Sequence, residues 1–156
     1  MTGVQTCALP IYLASLAEKR SITLEAEGDA ALTGSDALIY RMLFNLTENA
    51  VKYNRPGGSV RVSVTQGLEK LLLRVSDTGC GIPEVYQRSI FQPFFRVDKS
   101  RSREYGGAGL GLSLVWEISN LHGGSVWVEE SSDKGTTIAV ELPAGVESAP
   151  SGADIP

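Results

Sequence analysis

From Ile39 onward, apolar residues recur at Met42, Leu43, Leu46, Ala50 and Tyr53, the spacing of one helix face, until "NRPGG" stops the pattern. Ser35 or Asp36 can cap this helix. Advancing about 100° per residue keeps the apolar stripe within about 60° of Ile39. Asn45, Asn49 and Lys52 then fall together at about 220–280°, on one polar flank. Upstream, "SITLEAEG" alternates Ile22, Leu24 and Ala26 as a strand does, and "AALTGS" reads as a short partner strand. Downstream, "SVRVSVTQ" and "KLLLRVS" predict a hairpin around Gly67, closed by the Gly-rich turn "DTGCGIP". A short helix is expected over "PEVYQRSIF". Residues 96–109, "RVDKSRSREYGGAG", have almost nothing to bury and read as a loop. Helical spacing resumes through Leu110, Leu114, Ile118 and Leu121, with Gly123 as the stop, and "SVWVEES" and "TTIAVELP" form a closing strand pair around "DKG". Two main helices interspersed with a mostly antiparallel sheet define an α+β fold, a two-layer α/β sandwich with helices on one face.

Composition narrows the possibilities without deciding among them. A chain of 156 residues is long enough for one domain with a real core, and its 42% hydrophobic and 21% charged content is that of a soluble globular protein. The net charge of −4 supplies no basic footprint for nucleic acid, and no apolar run is long enough to span a bilayer. The chain's single histidine, His122, lies at a helix end, where it is expected to stabilise the terminus. One such histidine builds neither a Ser-His-Asp set nor a metal cluster. The two cysteines, Cys7 and Cys80, have neither metal-ligand nor disulfide spacing and are expected to be reduced thiols. Residues 1–11, "MTGVQTCALPI", resemble a translated sequencing adapter, and are expected to be foreign to a domain spanning 12–143 that is the C-terminal part of a longer protein. Residues 144–156 are small, Pro-containing and poor in large apolar groups, as in a disordered tail.

Three stretches invite chemistry, and each has a plainer reading. The flank of Asn45, Asn49 and Lys52, taken alone, is a solvated face. Yet Asn is a mediocre helix former, and paired amide oxygens beside a Lys suit a hydrated Mg²⁺ and a phosphate chain. "DTGCGIP" is either a Gly-rich turn with a turn-forming Asp, or a strand-end carboxylate, Asp77, that accepts from an exocyclic amine while Gly79 and Gly81 admit a flat ring. "GGAGLGL" runs Gly107, Gly109 and Gly111 into a helix, which suits amides aimed at phosphates. It does not match the dinucleotide fingerprint, because a basic loop rather than a strand precedes it.

In order, "NLTENAVKY", "DTGCGIP", "FQPFF", "GGAGLGL" and "GTT" resemble the N, G1, F, G2 and G3 boxes of sensor histidine kinases, over about residues 14–143. The resemblance implies their ATP-binding catalytic domain, with a Bergerat-type fold shared with DNA gyrase, mismatch-repair ATPases and a heat-shock chaperone. It implies that Asn49 coordinates Mg²⁺ bridging the phosphates of ATP, with Asn45 beside it and Lys52 on a phosphate. By the same resemblance Tyr53 is expected to cover the adenine and Asp77 to accept from its amine, with Gly79, Gly81 and Ile82 shaping that pocket. Phe91 and Phe94 are expected to anchor the base of an ATP lid, from which Arg96 would reach the phosphates. Gly107, Gly109 and Gly111 are expected to cradle the phosphates, Leu110 to touch the base, and Thr136 to contact adenine through water. Ala108 stands where Thr or Ser is usual, and Ile138 replaces a common Phe, a change expected to affect packing only.

Hydrolysing relatives carry a Glu at the position of Asn45, whose amide cannot act as a general base; loss of such a base is worth roughly 10²–10⁴ in rate. Glu48 lies roughly 100° around the helix from Asn49 and is expected to be solvated. The implied partners are a histidine-bearing dimerisation bundle upstream of this chain and, through the full-length kinase, a response regulator. The fragment itself is expected to be monomeric, on the cytoplasmic side of a membrane-anchored parent. Two other readings share the fold: a catalytically silent nucleotide-binding module and an anti-sigma-factor serine kinase.

Overall fold

The structure is a computed structural model that describes residues 2–5, 11–27, 29–32, 36–93 and 111–143. Along the chain run β1 (Thr2–Gln5), α1 (Ile11–Lys19), β2 (Thr23–Glu27), β3 (Asp29–Leu32), α2 (Asp36–Lys52), β4 (Ser59–Gln66) and β5 (Lys70–Asp77). Two single 3-10 turns follow, Glu84–Tyr86 and Ser89–Phe91, then α3 (Gly111–Leu121), β6 (Ser125–Ser132) and β7 (Gly135–Pro143).

Alternation decides which face of the sheet is covered. In β4, Val60, Val62 and Val64 are buried while Arg61 between them is exposed. In β5, Leu71, Leu73 and Val75 point the same way. Against that face lie Ile39, Met42, Leu43, Leu46 and Ala50 of α2, with Val115 and Ile118 of α3. The opposite face carries solvent-exposed ion pairs, Arg74 to Glu129 at 2.7 Å and Arg61 to both Glu25 and Glu27. The two-layer, mostly antiparallel architecture with helices on one face is therefore the one expected.

The sheet order is β2-β4-β5-β7-β6, and the hairpin around Gly67 forms as expected, with Gly67 N donating to Lys70 O at 2.7 Å. Three expectations change. β2 pairs in parallel with β4, so its neighbour is not the "AALTGS" strand; β3 instead pairs with β1 in a separate two-stranded ribbon. Helix α1, not anticipated, buries Ala17 against the core. The "PEVYQRSIF" stretch forms two 3-10 turns rather than one helix, since Pro83 opens it without a side-chain cap and only Ile90 in those turns is buried. α3 ends in a Schellman motif: Gly124 N donates to Ser119 O and Gly123 N to Asn120 O, with Gly123 at φ 75°. His122 Nδ1 lies 2.9 Å from Ile118 O, the end-of-helix role expected of it.

One irregularity positions the site. β6 pairs Val128 with Ile138 but Glu130 with Thr137, so Glu129 is an extra residue. After that bulge, Ser131 stands opposite Thr136 and Ser132 opposite Gly135. Ile138 itself is core.

Leu46, 1% exposed at the centre of the α2 stripe, is the sharpest test of this packing. Leu46→Ala should destabilise the domain by about 2–5 kcal/mol in urea denaturation. Tyr40→Ala, on the exposed side of the same helix, should stay within about 0.5 kcal/mol.

Candidate functional site

Asp77 ends the central strand β5, flanked by Val60 of β4 and Thr136 of β7. Its Oδ1 accepts two backbone hydrogen bonds, from Gly79 N at 2.8 Å and Thr136 N at 3.2 Å. Oδ2 accepts none among the described residues. Burial pushes the carboxyl above its ordinary value of 3.8, and the two backbone donors only partly offset this. The result is a fixed acceptor, partly out of water, with one oxygen spare.

The turn after β5 is held on three sides. Gly79 is buried so close to the end of α2 that an added Cβ would lie 2.7 Å from Tyr53 O. Gly81, at φ 84°, lies against Ser132 O. Ile82 N donates to Ser131 Oγ at 2.8 Å, and Ser131 Oγ pairs in turn with Thr136 Oγ1 at 2.8 Å. Gly135, at φ 144°, begins β7 directly beneath Asp77, where a Cβ would meet Asp77 O at 1.9 Å. Only glycine permits that approach, and the approach is what brings Thr136 N onto the carboxylate.

The end of α2 is tied to the same turn. Asn54 donates Nδ2–H to Ser59 O at 2.9 Å, and its Oδ1 accepts from Thr78 Oγ1 at 2.9 Å and Arg55 N at 2.8 Å. Arg55 Nη2 donates to Gly79 O and to Asp133 O in the β6–β7 turn.

Along α2, the polar flank meets the start of α3. Asn45 Oδ1 lies 4.0 Å from where a Cβ on Gly111 would stand, and its Nδ2 is buried with no hydrogen-bond partner among the described residues. A buried amide without an acceptor is unfavourable by about 1–3 kcal/mol unless a ligand or water meets it. Asn49 is half-buried on the same helix, and its carbonyl accepts from Tyr53 N at 3.1 Å. Tyr53, just past the end of α2, is 46% exposed. Lys52 pairs with Glu48 at 3.6 Å, and the two side chains are only 21% and 23% exposed. Glu48 is thus held by Lys52 rather than solvated, because the i,i+4 spacing puts the two on adjacent turns.

The structure therefore brings Asn45 and Gly111 together across two helices, and Tyr53, Asp77, Gly79, Gly81, Ile82 and Thr136 together around one turn. Phe94, Arg96, Gly107, Ala108, Gly109 and Leu110 lie outside the described residues. Sequence reasoning missed Asn54, Arg55, Thr78 and Ser131. Their partners are distant in the chain, 24 residues for Thr78 to Asn54 and 78 for Arg55 to Asp133, so no local pattern displays them. Gly135 was within reach, as the glycine preceding Thr136 in "KGTT". No group of three or more His, Cys, Asp or Glu able to hold a metal occurs among the described residues.

A two-layer sandwich carrying a strand-end carboxylate among glycine turns, beside a helix flank of amides, defines a nucleotide-binding class of domain. The family model of histidine kinase-, DNA gyrase B- and HSP90-like ATPases matches residues 34–146. The sensor histidine kinase RppB of Synechocystis is 37% identical over 118 residues, 76% of this chain and 26% of that protein. WalK of Bacillus subtilis, also a sensor histidine kinase, is 43% identical over 107 residues, 67% of this chain and 18% of its own. Among solved structures, the mycobacterial sensor histidine kinase MprB superposes with a TM-score of 0.73 at 28% identity, covering 91% of this chain and 97% of that one. The catalytic domain of histidine kinase ThkA gives 0.71 at 26% identity, covering 86% of each. The chain belongs to this ATPase family and, within it, to the ATP-binding catalytic domains of histidine kinases. It spans about a quarter or less of the length of these two curated relatives.

The raised carboxyl has a consequence that needs no ligand. Because Asp77 titrates higher folded than unfolded, its contribution to stability is present below the unfolded value, near 3.8, and is lost as pH rises through the folded one. Asp77→Asn keeps an Oδ1 for Gly79 N and Thr136 N but removes the buried charge. Urea denaturation across pH 4 to 8 should show the ligand-free variant more stable than wild type at neutral pH, with the gap closing towards pH 4.

Proposed function

We propose that this domain holds ATP for transfer of its γ-phosphate to a histidine on a separate dimerisation bundle, within a longer, membrane-anchored two-component kinase that passes the phosphate to a response regulator. The observation that carries the reading is Asp77: a strand-end carboxylate with Oδ1 saturated by two backbone N–H groups and Oδ2 left for a ligand donor. In this assignment Oδ2 accepts from the adenine amine, Gly79, Gly81 and Ile82 wall the pocket, Tyr53 covers the ring, and Thr136 reaches the base through water. Leu110 touches the base and Arg96 the phosphates, while the amides of Gly107, Gly109 and Gly111 cradle the phosphates at the α3 N-terminus.

The amide flank of α2 fits a magnesium ion. Its donors are neutral oxygens, and Mg²⁺ bound to a nucleotide takes most of its ligands from phosphates and water rather than from a protein cage. Asn49 would hold the ion, with Asn45 beside it. When bound, Mg²⁺ neutralises phosphate charge and orients the γ-phosphate. The orphaned Asn45 Nδ2 supports a ligand at this place, since an acceptor there would satisfy it. Lys52 must leave Glu48 to reach a phosphate, which is a small demand: an i,i+4 ion pair is worth about 0.3–0.5 kcal/mol, against about 1.5–3 kcal/mol for a charged hydrogen bond.

Nothing on the flank activates water well. Asn45 cannot accept a proton as a general base, and Glu48, the carboxylate one residue before Asn49, lies roughly 100° around the helix from it. Slow hydrolysis preserves ATP until the acceptor histidine arrives.

Labelled ATP tests the whole reading. The chain alone should bind Mg-ATP without labelling itself, and a cognate histidine bundle added in trans should acquire label on its histidine. Bound ATP with no transfer would make this a silent module; label on a protein serine would make it a serine kinase; label on His122 would reject the separate acceptor. In calorimetry, Asp77→Ala should weaken ATP binding by about 10- to 150-fold, and an unchanged affinity would remove Asp77 from the adenine site.

A further inference from the structure

Three segments surround Asp77 that have no backbone pairing in common: the exit of α2, the 78–83 turn, and the β6–β7 turn. One side chain spans them. Arg55 starts from the α2 exit, where its own N–H is fixed on Asn54 Oδ1 at 2.8 Å. Its Nη2 then donates to Gly79 O, at 3.3 Å, and to Asp133 O. One nitrogen with two hydrogens thus reaches one carbonyl in each turn. It joins the turn that carries Gly79 to the turn that leads, past Gly135, into Thr136 at the start of β7, and the N–H groups of Gly79 and Thr136 meet on Asp77 Oδ1.

We infer that Arg55 is a positioning residue for base recognition, setting the separation of the two turns so that the Asp77 carboxylate faces an adenine amine. The inference rests on the adenine reading of the site. Arg55 bonds two backbone carbonyls beside Asp77 and carries no core packing, being exposed. Its effect falls on how well Asp77 is aimed. Without the bridge, the 78–83 turn still hangs from Ser131 and the Asn54–Thr78 bond, but nothing holds Gly79 O against the β6–β7 turn. Of the two donors on the carboxylate, Thr136 N is set by the β5–β7 ladder, whereas Gly79 N moves with the 78–83 turn and carries the aim of the carboxylate with it. The base that needs it in register loses affinity; a base that does not use it loses nothing.

The bases differ where this matters. Adenine presents an exocyclic amine that donates to a carboxylate, whereas guanine presents a carbonyl at the same ring position. Arg55→Met keeps the stem and deletes the donors. Competition binding with ATP and with GTP on the wild type and this variant, with thermal unfolding alongside, separates positioning from stability. ATP affinity should fall by about 5- to 20-fold while GTP affinity changes less than about 2-fold, with the unfolding midpoint nearly unchanged. Equal loss for both nucleotides, an unchanged ATP affinity, or an ATP loss that only follows a lowered midpoint would overturn the inference. If the wild type binds no ATP, the adenine reading itself falls. If the wild type binds ATP and Asp77→Ala weakens it while Arg55→Met does not, only the role of Arg55 falls.

Discussion

Asp77 is a carboxylate drawn partly out of water at the end of the central strand, and the arrangement of the surrounding turns follows from keeping it satisfied there. A buried carboxylate must collect hydrogen bonds or lose its charge. It collects them from Gly79 in its own turn and Thr136 on the neighbouring strand. Each donor imposes a further condition. Gly79 must pass within contact of the α2 exit, and Gly135 must lie against the Asp77 carbonyl, so neither position has room for a side chain. The β6 bulge at Glu129 then sets the register that places Ser131 beside Thr136, and Ser131 in turn holds Ile82.

Stability and function pull in opposite directions at this carboxyl. The same burial that gives Asp77 a fixed, directional acceptor raises its proton affinity and makes the charged form unfavourable in the ligand-free fold. The orphaned Asn45 amide is a second instance, a buried donor with no described partner, facing the first residue of α3. Unsatisfied buried groups of this kind are rare in folded domains. In the proposed reading this one, on the helix flank, lies towards the phosphates of the pocket whose base end is Asp77.

Glu48 shows how a local rule can mislead. Its angular position around α2 separates it from Asn49, which correctly removes it from the amide pair, but the same geometry brings it to Lys52 one turn on. The carboxylate is therefore occupied rather than solvated. Its partner in the ligand-free domain is the same Lys52 that the proposed site turns towards a phosphate.

The α2 stripe, the β4–β5 hairpin, the β6–β7 pair and the Gly123 stop were legible in the sequence because each is written in periodicity or in a glycine at a required turn, which are properties of neighbours along the chain. The candidate site residues Asn45, Asn49, Asp77, Gly79 and Gly81 were legible for a related reason: their ordered motifs resemble those of one family. The parallel pairing of β2 with β4, the bulge at Glu129 and the two separate 3-10 turns were not, since strand partners and registers depend on which distant faces pack together. Arg55, Thr78 and Ser131 fall in the same class. Their side chains are ordinary in local context, and only the fold, by bringing residues 24 to 78 positions apart into hydrogen-bond distance, makes all three part of the frame around Asp77. The sequence determined the elements and the chemical groups on offer; tertiary structure decided which of those groups meet, because long-range contact is a property of packing and not of spacing.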